Sequence, residues 1–159
     1  MRPSWDQYFL GMAFYVSCRS HDKETKVGGV ISDSNNHIVG VGYNGLCSGV
    51  EEEDYLCTRP HKYPFMVHAE QNALANLTRL TPLKKKAYIT HYPCAVCLKL
   101  LWQHDVKSIV VPENKTHLWK EEDGNVLDFL IRHGLDFKTI EADLMFKVQK
   151  VHKEEEDPE

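Results

Sequence analysis

Two short segments, His68-Ala69-Glu70 and Pro93-Cys94-Ala95-Val96-Cys97, restrict what this chain can fold into more than any other feature. Together they hold an imidazole, two thiols and a spare carboxylate, so the fold has to close about two dozen residues of intervening chain to bring them to one metal ion. A catalytic zinc takes three protein ligands and leaves its fourth tetrahedral position to water, and His68, Cys94 and Cys97 supply that count. Two thiolates and a neutral imidazole bring the centre to zero formal charge. Water there is acidified less than beside three histidines, and a neighbouring base has to help. Glu70, two residues after the first ligand, sits where the opening turn of a helix aims a carboxylate at that water, the position of a proton shuttle. Two plainer readings use the same residues: a closed structural zinc with Glu70 as a solvated carboxylate, and a reduced cysteine pair without metal. The closed site needs a fourth ligand, and none is obvious in the neighbouring sequence.

The flanking residues predict that each segment opens a helix. Asn72 to Leu77 read as helix after His68, Ala87 to Thr90 as a short apolar strand, and Pro93 as a first-turn residue of a helix carried on by Leu98, Leu100, Leu101 and Trp102. Thiolates at such a position gain from unsatisfied N–H groups and the positive end of the macrodipole.

Ser4 predicts the cap of an earlier helix with an apolar stripe at Tyr8, Phe9, Met12, Ala13, Tyr15 and Val16, ending near Arg19-Ser20. Residues 26–32 and 37–43 read as the strands of an antiparallel hairpin turned by Asp33-Ser34-Asn35-Asn36, and Gly28 and Gly29 imply the close approach of another backbone or a ligand. Gly42-Tyr43-Asn44-Gly45 falls at the same end of the sheet as the zinc helices. Asn44 is therefore a candidate to bond a sugar hydroxyl, set against the plainer reading of an Asn-Gly turn. A strand at 107–111, a helix at about 122–133 stopped by Gly134, and a strand at 135–140 complete an alternation that indicates an α/β sandwich. The expected organisation is one domain over residues 1–141 and an acidic, partly disordered tail over 142–159.

The connection from Cys47 to Val67 carries an acidic run, Glu51-Glu52-Glu53-Asp54, which reads as a solvated face or as a place for regulation or for magnesium held through nucleotide phosphates. Cys57 and His61 have ligand-like spacing and, with Cys18 and Cys47, make a candidate second metal site, set against ordinary free cysteines. Five cysteines, an odd number, fit a reducing compartment; no apolar run is long enough for a bilayer and the start lacks the order of a signal peptide, so a cytoplasmic protein is expected. A net charge of −4 argues against a polynucleotide as the main partner. It leaves room for a mononucleotide, whose phosphate needs only one or two cations or N–H groups, with Arg19, Lys26, Arg59 and Lys62 as candidates.

His-x-Glu followed by Pro-Cys-x-x-Cys is the known signature of zinc-dependent nucleobase deaminases. Further blocks narrow the resemblance: Arg19-Ser20-His21-Asp22, Thr25-Lys26-Val27-Gly28, Gly42-Tyr43-Asn44-Gly45, Lys62-Tyr63-Pro64-Phe65, His68-Ala69-Glu70-Gln71-Asn72-Ala73 and Tyr88-Ile89-Thr90-His91-Tyr92-Pro93-Cys94. In their order, from about Trp5 to Ile140, the chain resembles the deoxycytidylate (dCMP) deaminase family. The resemblance implies a three-layer α/β/α cytidine deaminase fold with a five-stranded mixed sheet, assembled into dimers or hexamers. It also implies hydrolysis of dCMP to dUMP and ammonia, supplying dUMP for thymidylate synthesis, with zinc as cofactor. Glu70 would move a proton from water to N3 and to the leaving amine, backbone groups near Ala69 and Thr90 would read the base, and Asn44 would meet the deoxyribose. Allosteric activation by dCTP and inhibition by dTTP, with Mg2+, are implied at a second site near Gly42-Tyr43-Asn44-Gly45. The chain departs from the family there, reading Leu46-Cys47-Ser48-Gly49 where an aromatic or Met and then Pro are frequent. The alternatives are another zinc deaminase, acting on a nucleoside, guanine, a tRNA adenosine or a riboflavin precursor, and a non-catalytic nucleotide sensor with structural zinc. The acidic balance weighs against tRNA, and an intact Glu70 against the sensor.

Overall fold

Alternation along the strands decides the layering. A computed structural model describes residues 2–78, 82–113 and 119–141; the expected tail at 142–159 lies outside the described residues. Strands β1 (Gly28–Asp33), β2 (Ile38–Tyr43), β3 (Lys85–Ile89), β4 (Val106–Pro112) and β5 (Asp136–Ile140) form one sheet in the order β2-β1-β3-β4-β5. β1 runs antiparallel to both its neighbours, and β3, β4 and β5 are parallel. Successive strand residues face opposite sides. Val30, Tyr88 and Val110 accordingly pack against α1 (Trp5–Ser17), while Ile31, Ala87, Ile89, Ile109 and Val111 pack against α2 (Ala69–Ala75), α3 (Ala95–Gln103) and α4 (Glu121–Arg132). One helix covers one face and three cover the other, the expected three-layer α/β/α arrangement with a mixed five-stranded sheet. Among the described residues no helix is long and apolar enough to cross a membrane.

Ser4 caps α1 as expected, accepting from the Gln7 backbone N–H at 3.2 Å while the Gln7 side chain accepts from Ser4 N–H at 2.9 Å. The buried face differs from the predicted stripe. Phe9, Leu10, Ala13 and Ser17 point inward, whereas Tyr8 and Tyr15 are 47% and 74% exposed. Ala13 and Ser17 are there because β1 lies directly on the helix: a Cβ at Gly28 would stand 1.9 Å from Ala13 O. The Ser17 hydroxyl is satisfied internally by donating to Phe14 O at 2.6 Å.

A similar approach positions the site. A Cβ at Gly42 would lie 2.2 Å from Ala73 N and 2.6 Å from Ala69 O, so β2 supports the backbone of α2 without an intervening side chain. Gly42→Ala is expected to push α2 off the sheet, lowering stability by roughly 1–3 kcal/mol and turnover with it. Urea denaturation checks this, and an unchanged midpoint would contradict it.

Candidate active site

The two ligand segments meet because each ends an extended stretch and begins a helix. His68 is the N-cap of α2 (φ −71°, ψ 154°) and Cys94 the N-cap of α3 (φ −70°, ψ 167°). Pro93 thus stands one residue before the cap instead of inside the first turn, where its fixed φ suits the extended approach from β3. Cys97 follows within the first turn of α3 and is fully buried, whereas Cys94 is only partly so.

His68 Nδ1 lies 3.6 Å from Cys94 Sγ and 3.4 Å from Cys97 Sγ, and the three donor atoms fall within 4.8 Å of one another. A tetrahedral zinc with Zn–S of about 2.3 Å and Zn–N of about 2.0–2.1 Å separates its sulfur and nitrogen ligands by roughly 3.5–3.6 Å, so these residues fit the ion. Without metal, the Cys97 thiol bonded to Cys94 lowers the Cys94 thiol to about 4 against the opposing effect of burial, with His68 assisting. The same bond raises Cys97 and burial adds to it; the bond to Cys94 raises His68.

Glu70 is 5% exposed, one residue inside α2 and outside the ligand set. Burial pushes its carboxyl above the ordinary value, and the nearby His68 opposes this only in part. A carboxyl raised in this way is a stronger base than an ordinary glutamate, which suits a group that accepts a proton from water.

Residues 3–113 match the cytidine and deoxycytidylate deaminase zinc-binding region. The chain belongs to this deaminase family. The deaminase is 34% identical over 119 residues to the deoxycytidylate deaminase of Homo sapiens, covering 71% of this chain and 67% of that one. With the deoxycytidylate deaminase of Mycobacterium phage D29 it shares 33% identity over 129 residues, 70% of this chain and 97% of the other. The crystal structure of dCMP deaminase from cyanophage S-TIM5 in complex with dCMP and dUMP matches its fold with a TM-score of 0.66 at 26% identity, covering 88% of this chain and 99% of that one. His68, Cys94 and Cys97 all fall inside the matched zinc-binding region. Cys97→Ser is expected to leave zinc well below one ion per chain after dialysis; full zinc retention with a normal rate would show the ligand set to be wrong.

Around this centre two of the residues expected at the substrate, Asn44 and Thr90, are held in hydrogen bonds. Asn44 is buried, and its amide is saturated: Oδ1 lies 2.6 Å from Ser20 Oγ and accepts from Val27 N–H at 2.8 Å, while Nδ2 donates to Thr25 O at 2.8 Å and towards Asp22. In this structure the Asn44 side chain braces the loop ahead of β1. Ala69 and Thr90 are buried at the start of α2 and the end of β3, and Thr90 exchanges bonds with Gly28 through its backbone N–H and its hydroxyl.

Of the candidate phosphate cations, Lys62 is buried and already paired. It is 4% exposed, 2.6 Å from Asp22 and 3.3 Å from Glu24. Lys26 donates to Ser20 O at 2.7 Å and Arg59 to Thr25 Oγ1 at 2.9 Å, both from exposed positions, and Arg19 is exposed.

The candidate second metal site does not assemble. Cys18 ends α1 with its sulfur against Phe14 O, Cys47 is exposed, Cys57 is buried with Leu46 and Leu56, and His61 packs its ring against Tyr55. Spacing along the chain brought these residues to different neighbours, and among the described residues only His68, Cys94 and Cys97 converge as a metal-ligand group. In the acidic run, Glu52 pairs with His21 at 2.9 Å and Asp54 with Lys23.

Sequence reading passed over Trp119 and Asp123, which bond to the backbone beside Cys94. Asp123 gave a local signal only for its own helix, since acidic residues are ordinary in a first turn.

Proposed function

We propose that this deaminase hydrolyses dCMP to dUMP and ammonia, supplying dUMP for thymidylate synthesis, and does so with Glu70 as proton carrier beside a zinc held by His68, Cys94 and Cys97. The observation that carries the reading is a buried carboxyl next to a three-donor set that does not include it, since a structural zinc has no need of Glu70. The nucleotide substrate is supported by relatives named for deoxycytidylate and by the phage enzyme's complex with dCMP and dUMP. Zinc, when bound, supplies Lewis acidity that lowers the pKa of water.

Glu70 takes the proton from the attacking water and delivers it to N3 of the pyrimidine. A second proton then passes through the same carboxyl to the departing amine, so that water and dCMP leave as dUMP and ammonia. Burial, which favours the protonated carboxyl, supports its taking the proton from water. Backbone groups around Ala69 and Thr90 read the base, and the deoxyribose meets the loop after β2, with Asn44 acting through the hydrogen bonds that shape it. Assembly into dimers or hexamers and control by dCTP and dTTP with Mg2+ belong to the same proposal and rest on the resemblance alone, whereas the cytoplasmic location rests on free cysteines suited to a reducing compartment.

The test is ammonia release from dCMP, CMP, deoxycytidine and dCTP, with and without dCTP or dTTP as effector. The expected outcome is a preference for dCMP of at least about tenfold, the discrimination a few lost polar contacts provide. An equal or higher rate on deoxycytidine would move the reading to a nucleoside deaminase, and no turnover of any cytosine compound by zinc-loaded protein would move it to the sensor.

A further inference from the structure

We propose that Trp119 and Asp123 are positioning residues that fix the Cys94 sulfur for the metal, so that zinc retention depends on the start of α4. The inference rests on the zinc deaminase reading. Cys94 stands between two peptide groups, and each is held by one of these side chains. Trp119 Nε1–H donates to Pro93 O at 2.9 Å, and Ala95 N–H donates to Asp123 Oδ1 at 2.7 Å. Peptide groups are rigid planes, so holding both leaves Cys94 little freedom in φ and ψ. Its sulfur is then placed by one side-chain torsion.

The reason for a distant cap lies in the chemistry of Cys94. The first N–H groups of a helix have no intrahelical acceptor, and the N-cap side chain ordinarily satisfies one of them. Here the N-cap side chain makes no such bond, because its sulfur is turned to His68. A carboxylate 28 residues beyond Ala95 does the capping instead. Asp123 is 7% exposed, and its second oxygen accepts from Lys120 N–H at 2.8 Å, so one buried carboxylate joins the first turns of α3 and α4. Trp119 is held in turn by an edge contact with Tyr92, ring centroids 5.2 Å apart, and Tyr92 packs on Phe137 of β5 at 5.4 Å. Cys97 needs no such frame, being within the helix and fully buried. Cys94, outside the helix and partly exposed, does.

The test measures zinc transfer from loaded, folded protein to a chromogenic chelator in the wild type, Asp123→Ala, Asp123→Asn and Trp119→Phe. Loss of a side chain that orients a ligand typically costs about 10–100-fold in metal affinity or activity, and Asp123→Ala is expected to release zinc faster by that factor. Asp123→Asn, which keeps an acceptor oxygen, restores most of the retention, and Trp119→Phe, which keeps the ring and loses the donor, releases zinc several-fold faster. If Asp123→Ala does not fold, Trp119→Phe and the cobalt-substituted absorption spectrum, whose thiolate bands report the Cys94 geometry, decide the matter. Release rates and cobalt spectra equal to wild type, with only the unfolding midpoint lowered, would show a purely structural role and overturn the proposal. A wild type that binds no zinc would overturn the deaminase reading and this inference together. A wild type that binds zinc but does not turn over dCMP would overturn the substrate alone, since the release assay contains no substrate.

Discussion

A Glu70→Ala variant is expected to keep its zinc and to lose turnover of dCMP by about 10³- to 10⁴-fold, the upper part of what a positioned acid/base contributes. Zinc stays because Glu70 is not among the three converging donors. The fold stays because the residue removed is a nearly buried carboxyl whose charged form burial already disfavours. Glu70→Gln keeps the size and hydrogen-bonding capacity but has no proton to relay, so it should lose about as much. Metal analysis beside kcat separates the possibilities. Appreciable activity in either variant, at full zinc content, would remove Glu70 from the reaction.

Lys62→Met is expected to cost about 3–5 kcal/mol of stability, because removing one partner of a buried ion pair leaves an uncompensated charge. That is a large part of the roughly 5–15 kcal/mol by which a domain is stable. Asp22 is the charge left behind. Its Oδ1 accepts from the backbone N–H groups of Glu24 and Thr25 at 2.8 and 2.9 Å, and its Oδ2 takes Lys62 Nζ at 2.6 Å. Burial alone would raise this carboxyl, but the Lys62 ammonium and the two N–H donors outweigh it and hold the group below its ordinary value. A carboxyl depressed in the folded state contributes stability above its unfolded value of about 3.9 and loses it as pH falls through the lower folded value. The gap between wild type and Lys62→Met should therefore narrow in acid. Pairing the change with Asp22→Asn should recover part of the loss at neutral pH. Denaturant unfolding reads all three proteins, and a single-variant loss within about 0.5 kcal/mol, typical of a surface change, would show that the pair carries little.

What the sequence made legible follows the range of the interaction. The convergence of His68, Cys94 and Cys97 could be read because donor type and spacing within each segment already define a three-ligand group, and strand alternation with helix signals indicated the layers. The inner face of α1 was misread because Ser17 is there for its size under Gly28, a demand that exists only once the strand is in place. Asn44 was legible as a residue of the site's loop, but not as an amide with every donor and acceptor already used. Cys18, Cys47, Cys57 and His61 carry metal-like chemistry without convergence, which no spacing along the chain reveals. Trp119 and Asp123 were illegible for a related reason. Their acceptor and donor lie 26 and 28 residues away on a neighbouring helix start.

The most direct measurement is the rate of dUMP formation from dCMP as metal-free protein is titrated with zinc. One ion held by His68, Cys94 and Cys97 predicts a rate that rises in proportion to added zinc and levels off at one ion per chain. Full activity in the metal-free protein, no activity at any zinc level, or a rise that continues to two ions per chain would each contradict a single catalytic zinc at this site.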